Sequence, residues 1–321
     1  MSLARERPRN AGIARRPWCC RTSAILGGSG WNDGVVSERS AFGGGDQRYL
    51  RDVQYVTTTK LDARSSLHRT YATSPVPFAV FEARLVEWPE DAVVLDCGCG
   101  SGLFWTNPEL PRTVSLTLTD LSPGMVDAAV ATAHEHGFDD VRAEVCDVQA
   151  LPFDDDMFAI VIANHMLYHV PDPDRAVAEL ARVVRPDGVV LAATNGYGHM
   201  REINDALAEV FGDHGEQLYE VFGIETGEAR LRKCFSSIVW HAFDNDLIVD
   251  DPAPVVDYGL SFPPGETATP DQRASFTAAI RRRFSRGQLR IHTRAGAFVS
   301  RAPRTPAPSV WHTDAHRLPG T

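Results

Sequence analysis

The sequence predicts a doubly wound α/β fold built on a mostly parallel sheet, and three observations carry that prediction. From about Ala92 onward, short apolar runs of strand length alternate with stretches of helical spacing. A glycine-rich segment, Gly98-Cys-Gly-Ser-Gly102, follows the first run directly. Asp120 closes the second run, 18 residues after Gly102. Sheets of this kind bind ligands beyond the carboxyl ends of their strands, where these glycines and this acid fall.

Each element has a local reason. Tyr55 to Trp88 reads as helices that precede the sheet and form a lid. Ala92 to Asp96 is an apolar run ended by an acid and glycines, as suits a strand buried on both faces. Val114 to Thr119 is the second strand. Ser122 then stands before Pro123, an N-cap followed by proline at the first helical position, and Gly137 stops that helix after His136. Val141 to Cys146 and Met157 to Ala163 are the third and fourth strands. Asp172 or Asp174 caps a helix reaching Val184, and Pro186-Asp-Gly188 turns the chain into a fifth strand, Val189 to Ala193. Farther on, Ser236 to Phe243 and Gln288 to Ser300 read as strands, the latter broken near Gly296. Asp271 to Ser285 between them reads as a helix, within an insertion of about 245–287.

The ends differ from this middle. Residues 1–46 carry Arg5, Arg7, Arg9, Arg15, Arg16 and Arg21 against one early acid, Glu6, followed by glycine-rich stretches. A disordered leader, or a native start near Val35, is expected there. Residues 302–321 are expected to be a disordered tail, leaving 47–301 as the folded domain.

The chain has 321 residues and a formal net charge of −10. That balance argues against nucleic-acid partners, which are held through basic surface. From Arg273 to Arg304 there are nine arginines and no acid; a solvated basic face beside an acidic body is the preferred reading, and an acidic ligand the other. No apolar run approaches the roughly 18 residues of a membrane-spanning helix. The six cysteines form no paired framework, which suits a reducing, cytoplasmic setting. Cys97 and Cys99 are too few to hold a metal, and none is expected.

A glycine loop alone has several meanings. A phosphate loop needs Gly-Lys-Ser/Thr, and no lysine is near. The nicotinamide fingerprint needs G-x-x-G after the first glycine pair, which is out of register here. A carboxylate such as Asp120 can accept both hydroxyl hydrogens of a ribose.

Taken with Val94-Leu-Asp-Cys-Gly-Cys-Gly-Ser-Gly102, four further stretches make the chain resemble a known family. They are Leu118-Thr-Asp-Leu-Ser-Pro-Gly-Met125, Cys146-Asp-Val-Gln-Ala-Leu-Pro-Phe153, Phe158 to His169 and Arg182-Val-Val-Arg-Pro-Asp-Gly188. Five motifs in this order resemble the class I S-adenosylmethionine-dependent methyltransferases, the type 11 group in particular. The resemblance implies a seven-stranded Rossmann-like sheet with an antiparallel edge formed by the two late strands. It implies S-adenosyl-L-methionine as cofactor and a small-molecule methyl acceptor. Gly98, Cys99, Gly100 and Gly102 would border the methionyl part and Asp96 its ammonium, with the Asn164 carbonyl beside it. Asp120 would bind the ribose, Leu121 would pack on adenine, and Asp147 and the Val148 N–H would meet the adenine edge. Asp187 departs from the family's usual glycine, away from that pocket.

The transferred methyl is already activated, so alignment of a nucleophile is the main task, with a base needed only when the nucleophile must lose a proton. His165, Tyr168 and His169 follow the fourth strand and are the candidate base or positioning groups; structural packing competes for both histidines. His199 either faces the substrate or caps a following helix, the latter preferred. Arg64, His68 and Tyr71 are polar lid residues read as a solvated helix face. The expected reaction is methyl transfer to an O, N or C atom of a small molecule. The alternatives are a nicotinamide-dependent oxidoreductase and a non-catalytic protein that senses the cofactor.

Overall fold

A computed structural model of the chain describes residues 41–212 and 218–304. Helical turns over 41–54 include α1 (Gln47–Tyr49), whose N-terminal N–H groups are accepted by the Asp46 carboxylate. Then follow α2 (Thr59–Tyr71), α3 (Phe78–Ala83), β1 (Val93–Cys97), β2 (Ser115–Asp120), α4 (Pro123–Glu135), β3 (Val141–Val145) and β4 (Phe158–Ile162). Next come α5 (Pro173–Val183), β5 (Val184–Asn195), α6 (Arg201–Phe211), α7 (Leu218–Phe222), α8 (Ile224–Leu231) and β6 (Phe235–Phe243). The remainder is β7 (Asp246–Val249), α9 (Pro252–Gly259), α10 (Pro270–Arg283), β8 (Leu289–His292) and β9 (Ala295–Pro303).

Seven strands form one sheet in the order β3-β2-β1-β4-β5-β9-β6. The first five are parallel, and β9 runs antiparallel to both of its neighbours. The chain winds outward from β1 in one direction and from β4 in the other. The crevice between their carboxyl ends is therefore the switch point at which such sheets take ligands. Val94, Leu95 and Cys97 of β1 are fully buried, consistent with helices covering both faces. On one face pack Trp105, Phe138, Leu116 and Leu118; on the other Phe158, Leu180, Phe222 and Phe298.

The caps behave as their residue types dictate. The Ser122 hydroxyl accepts the Met125 N–H at the start of α4, and Gly137 takes φ +85° just beyond its end. Asp172, rather than Asp174, caps α5 by accepting the Arg175 N–H; Asp174 instead pairs with Arg230 and Lys233.

Several boundaries differ from the sequence reading. Residues 41–46 are described and form a helical turn, where Phe42 is buried and stacks on Phe262. Most of the leader and of the tail lies outside the described residues, while Ala302 and Pro303 belong to β9. Pro186-Asp-Gly188 is a bulge inside a continuous β5, where pairing with β4 steps from Phe158↔Val184 to Ile160↔Val189. The late break falls at Thr293–Arg294, ahead of Gly296, because β8 leaves the main sheet to pair with β7. The antiparallel edge is therefore β9 and β6 alone, and the inserted unit closes at His292.

Four of the nine arginines in the basic run are paired in place. Arg282 and Arg283 pair with Glu209, Arg290 with Asp246 and Arg294 with Glu225. The solvated-face reading accounts for them. Among the described residues, no helix is long and apolar enough to cross a membrane.

Candidate active site

A cavity of about 1010 Å³ opens at the switch point. It is lined by the loop after β1, the ends of β2 and β4, the turn after β3, the inner faces of α2 and α3, and the segment after β5. Asp96, Gly98, Cys99, Gly100, Asp120, Leu121, Asp147, Val148, Asn164, His165, Tyr168 and His169 all line it. Gly102 does not. At φ +78°, a Cβ there would stand 2.9 Å from the Ala129 Cα, so this glycine lets α4 close against the loop. Gly98 has the neighbouring restriction: at φ +66°, its Cβ would lie 2.8 Å from Met166.

Backbone donors gather around the acids. Asp120 accepts from the Gly100 N–H at 3.1 Å and the Ser122 N–H at 2.9 Å. Burial pushes its pKa up, and those N–H groups pull it back down. Asp96 is buried and accepts from Trp105 Nε1 at 2.8 Å. Burial raises its pKa to about 7, opposed by the Trp105 hydrogen bond and assisted by Asp120. Asp147 caps the short turn Val148–Ala150 through the Gln149 N–H and also accepts from Gln47 Nε2 at 2.9 Å. The early helical segment thus reaches over this end of the cavity.

The histidines divide by their partners. His169 donates from Nδ1 to the Phe42 carbonyl at 2.7 Å, since a carbonyl only accepts. Its Nε2 must then accept from the Tyr55 hydroxyl at 3.0 Å. Burial drives its pKa down to about 3. His169 is therefore a tie between the lid and the loop after β4. Tyr168 is buried edge-on to it, 4.6 Å between ring centres. His165 stands at φ +53° and packs beside Phe78, with ring centres 5.2 Å apart. Burial lowers its pKa to about 4, and its ring makes no hydrogen bond among the described residues.

His199 is not a helix cap. Its Nδ1 accepts the Arg294 N–H at 3.1 Å, which leaves the hydrogen on Nε2, and its pKa is pushed well below the ordinary value by burial. It stacks on His68, 6.0 Å between centres. His68 and Arg64 are not on a solvated face either: with Leu61 and Ser65 they form the inner stripe of α2, and burial lowers the His68 pKa to about 4. Tyr71 does not line the cavity. The sequence reading passed over Gln47 and Glu82, both of which do.

Comparison with known proteins bears on this geometry. Residues 95–192 match the model of a family described as "Methyltransferase domain". Over 123 residues the chain is 33% identical to malonyl-[acyl-carrier protein] O-methyltransferase of Serratia marcescens, covering 37% of this chain and 45% of that one. Over 101 residues it is 30% identical to ubiquinone biosynthesis O-methyltransferase of Coxiella burnetii, covering 32% and 42%. Residues 95–192 are therefore similar to a methyltransferase domain. The matches span less than half the length of either relative. The fold of the domain agrees with phosphoethanolamine N-methyltransferase 2 of Haemonchus contortus, solved with S-adenosylhomocysteine. There the identity is 18%, the TM-score is 0.51, and 80% of this chain and 60% of that one are covered.

The domain's own atoms fit such a cofactor. Asn164 Oδ1 and Glu82 Oε1 are buried acceptors without a hydrogen-bond partner, and both residues face the cavity. Orphaned acceptors are costly unless a ligand supplies donors. The other end, bounded by Asp120, Leu121, Asp147 and Val148, combines carboxylates with apolar walls as a nucleoside requires. Among the described residues no group of three metal-ligating side chains occurs, and the four described cysteines are free.

Proposed function

We propose that this chain transfers a methyl group from S-adenosyl-L-methionine to a small-molecule acceptor in the cytoplasm. The observation that carries the reading is the single cavity that joins the Asp96–Gly100–Asp120 crescent to a chamber walled by Phe78, His165, His199 and Phe243. When bound, the cofactor supplies a methyl group activated by its sulfonium. Asp120 would hold the ribose, Leu121 and Val148 the faces of adenine, and Asp147 its edge. Asp96, Gly98 and Asn164 would border the methionyl part.

On the acceptor side, the protein's part is orientation and removal of one proton. His165 is the candidate base: it is neutral at physiological pH, and its ring, packed on Phe78, is not hydrogen-bonded among the described residues. His169 serves the reaction by positioning, since both of its nitrogens are engaged. His199, donating from Nε2, can orient an acceptor oxygen. An oxygen acceptor is the form tested first, a hydroxyl where a proton must be removed, in keeping with two relatives named as O-methyltransferases. The net negative charge favours a small molecule over a nucleic acid.

Calorimetric titration with S-adenosylhomocysteine, NAD and NADP tests the cofactor assignment. Binding of the first alone, weakened at least about tenfold by Asp120→Ala, is expected from loss of a charged hydrogen-bond acceptor. Binding of a nicotinamide nucleotide instead would return the oxidoreductase reading.

A further inference from the structure

Glu82 lies on α3, in the apolar run Phe78-Ala-Val-Phe-Glu-Ala83, outside the stretch matched by the family model. It is 2% exposed, yet it borders the cavity. Its Oε1 has no hydrogen-bond partner. The charged group acting on it is Asp96, across the cavity wall on β1. Helical spacing puts Phe78 and Glu82, four residues apart, on one face of α3. Phe78 meets His165 at the acceptor chamber, and Glu82 points back to the Asp96 end.

A buried carboxyl facing another carboxyl, with no donor of its own, is a costly arrangement in the free protein. A cation placed between the two would relieve it. We propose that Glu82 is a second carboxylate for the cofactor's α-ammonium, delivered by the lid helix opposite Asp96. This rests on the methyl-transfer reading above. The lid then senses whether the ligand carries an amino-acid tail, and α3 seats fully only over one that does. Phe78 on the same face couples that seating to the wall of the acceptor chamber.

The test compares S-adenosylhomocysteine with 5′-methylthioadenosine, which lacks the amino-acid tail, in calorimetric titrations of wild type, Glu82→Gln and Glu82→Asp. Glu82→Gln should weaken S-adenosylhomocysteine about tenfold to a hundredfold and change methylthioadenosine less than about twofold. Glu82→Asp, which keeps the charge, should retain more affinity than Glu82→Gln. Thermal unfolding without ligand should be unchanged or slightly raised in Glu82→Gln, since the change removes a buried carboxyl that faces Asp96. Equal weakening of both ligands, or an unaltered S-adenosylhomocysteine affinity, would overturn the proposal while leaving the cofactor assignment standing. A wild-type chain that ignores S-adenosylhomocysteine would overturn both. Should Glu82→Gln fail to fold, the ligand-free role is structural and the proposal fails.

Discussion

Two histidines four residues apart on the same loop have opposite chemical standing, and their partners decide it. His169 is locked in one tautomer between Phe42 and Tyr55, whereas His165 faces the cavity with its ring packed on Phe78 and not hydrogen-bonded among the described residues. Replacing His165 by Gln should lower kcat for a hydroxyl acceptor by about 10²–10⁴-fold, with S-adenosylhomocysteine affinity nearly unchanged. The pH profile carries the sign. A base works in its unprotonated form, and burial holds His165 at about 4. At saturating cofactor, so that loss of the Asp96 charge near pH 7 acts on binding and not on kcat, the wild-type kcat should therefore stay level as pH falls from 7 to 5 and decline only near 4. A decline centred near 6.5 would exclude His165 in this environment. The sequence located both residues, because they follow a strand end within a recognisable motif. It could not separate them, because the partners that do so are distant in the chain.

Helix α4 illustrates what was legible at the level of elements. A serine, a proline and a terminal glycine specify its start and stop, and β1 and β2 read as strands because burial on both faces demands unbroken apolar runs. The Ser122 hydroxyl also donates to the Tyr55 carbonyl at 2.8 Å, so one side chain caps the helix and holds the lid. Ser122→Ala should cost about 1–2 kcal/mol in chemical denaturation and weaken nucleotide binding beyond that, through Asp120. An effect on stability alone would separate the two roles. Helix α2 illustrates what was not legible. Its inner stripe is Leu61, Arg64, Ser65 and His68, which has helical spacing but polar chemistry. Amphipathic reasoning assigns such a stripe to water, and only the cavity it faces reverses that assignment. Glu82 escaped for the complementary reason: a lone acid in an apolar hexapeptide carries no spacing signal.

Across the whole molecule, one carboxylate of the inserted unit gathers three side chains of the lid. Glu266 accepts from Lys60 Nζ at 2.6 Å and Gln54 Nε2 at 2.8 Å, and it also bonds the Tyr49 hydroxyl. Glu266→Ala should leave the sheet folded while residues 41–72 become markedly more sensitive to limited proteolysis, with a raised KM for the acceptor. Unchanged cleavage would mean that the remaining contacts, Phe42 on Phe262 and Thr73 with Asp246, suffice. The motif-bearing half of the cavity was readable from local sequence. The lid half was not, because its contacts join residues about 200 positions apart, as between Tyr49 and Glu266.

Strand β9 follows β6 in the chain yet lies between β5 and β6 in the sheet. During synthesis, β5 and β6 leave the ribosome with no strand to join them, each presenting an open edge. The sheet is completed by threading in a strand made more than fifty residues after β6 ends. A nascent chain arrested before Ala295 would therefore lack an interior stave of the sheet, and chaperones would meet it as two unfinished edges.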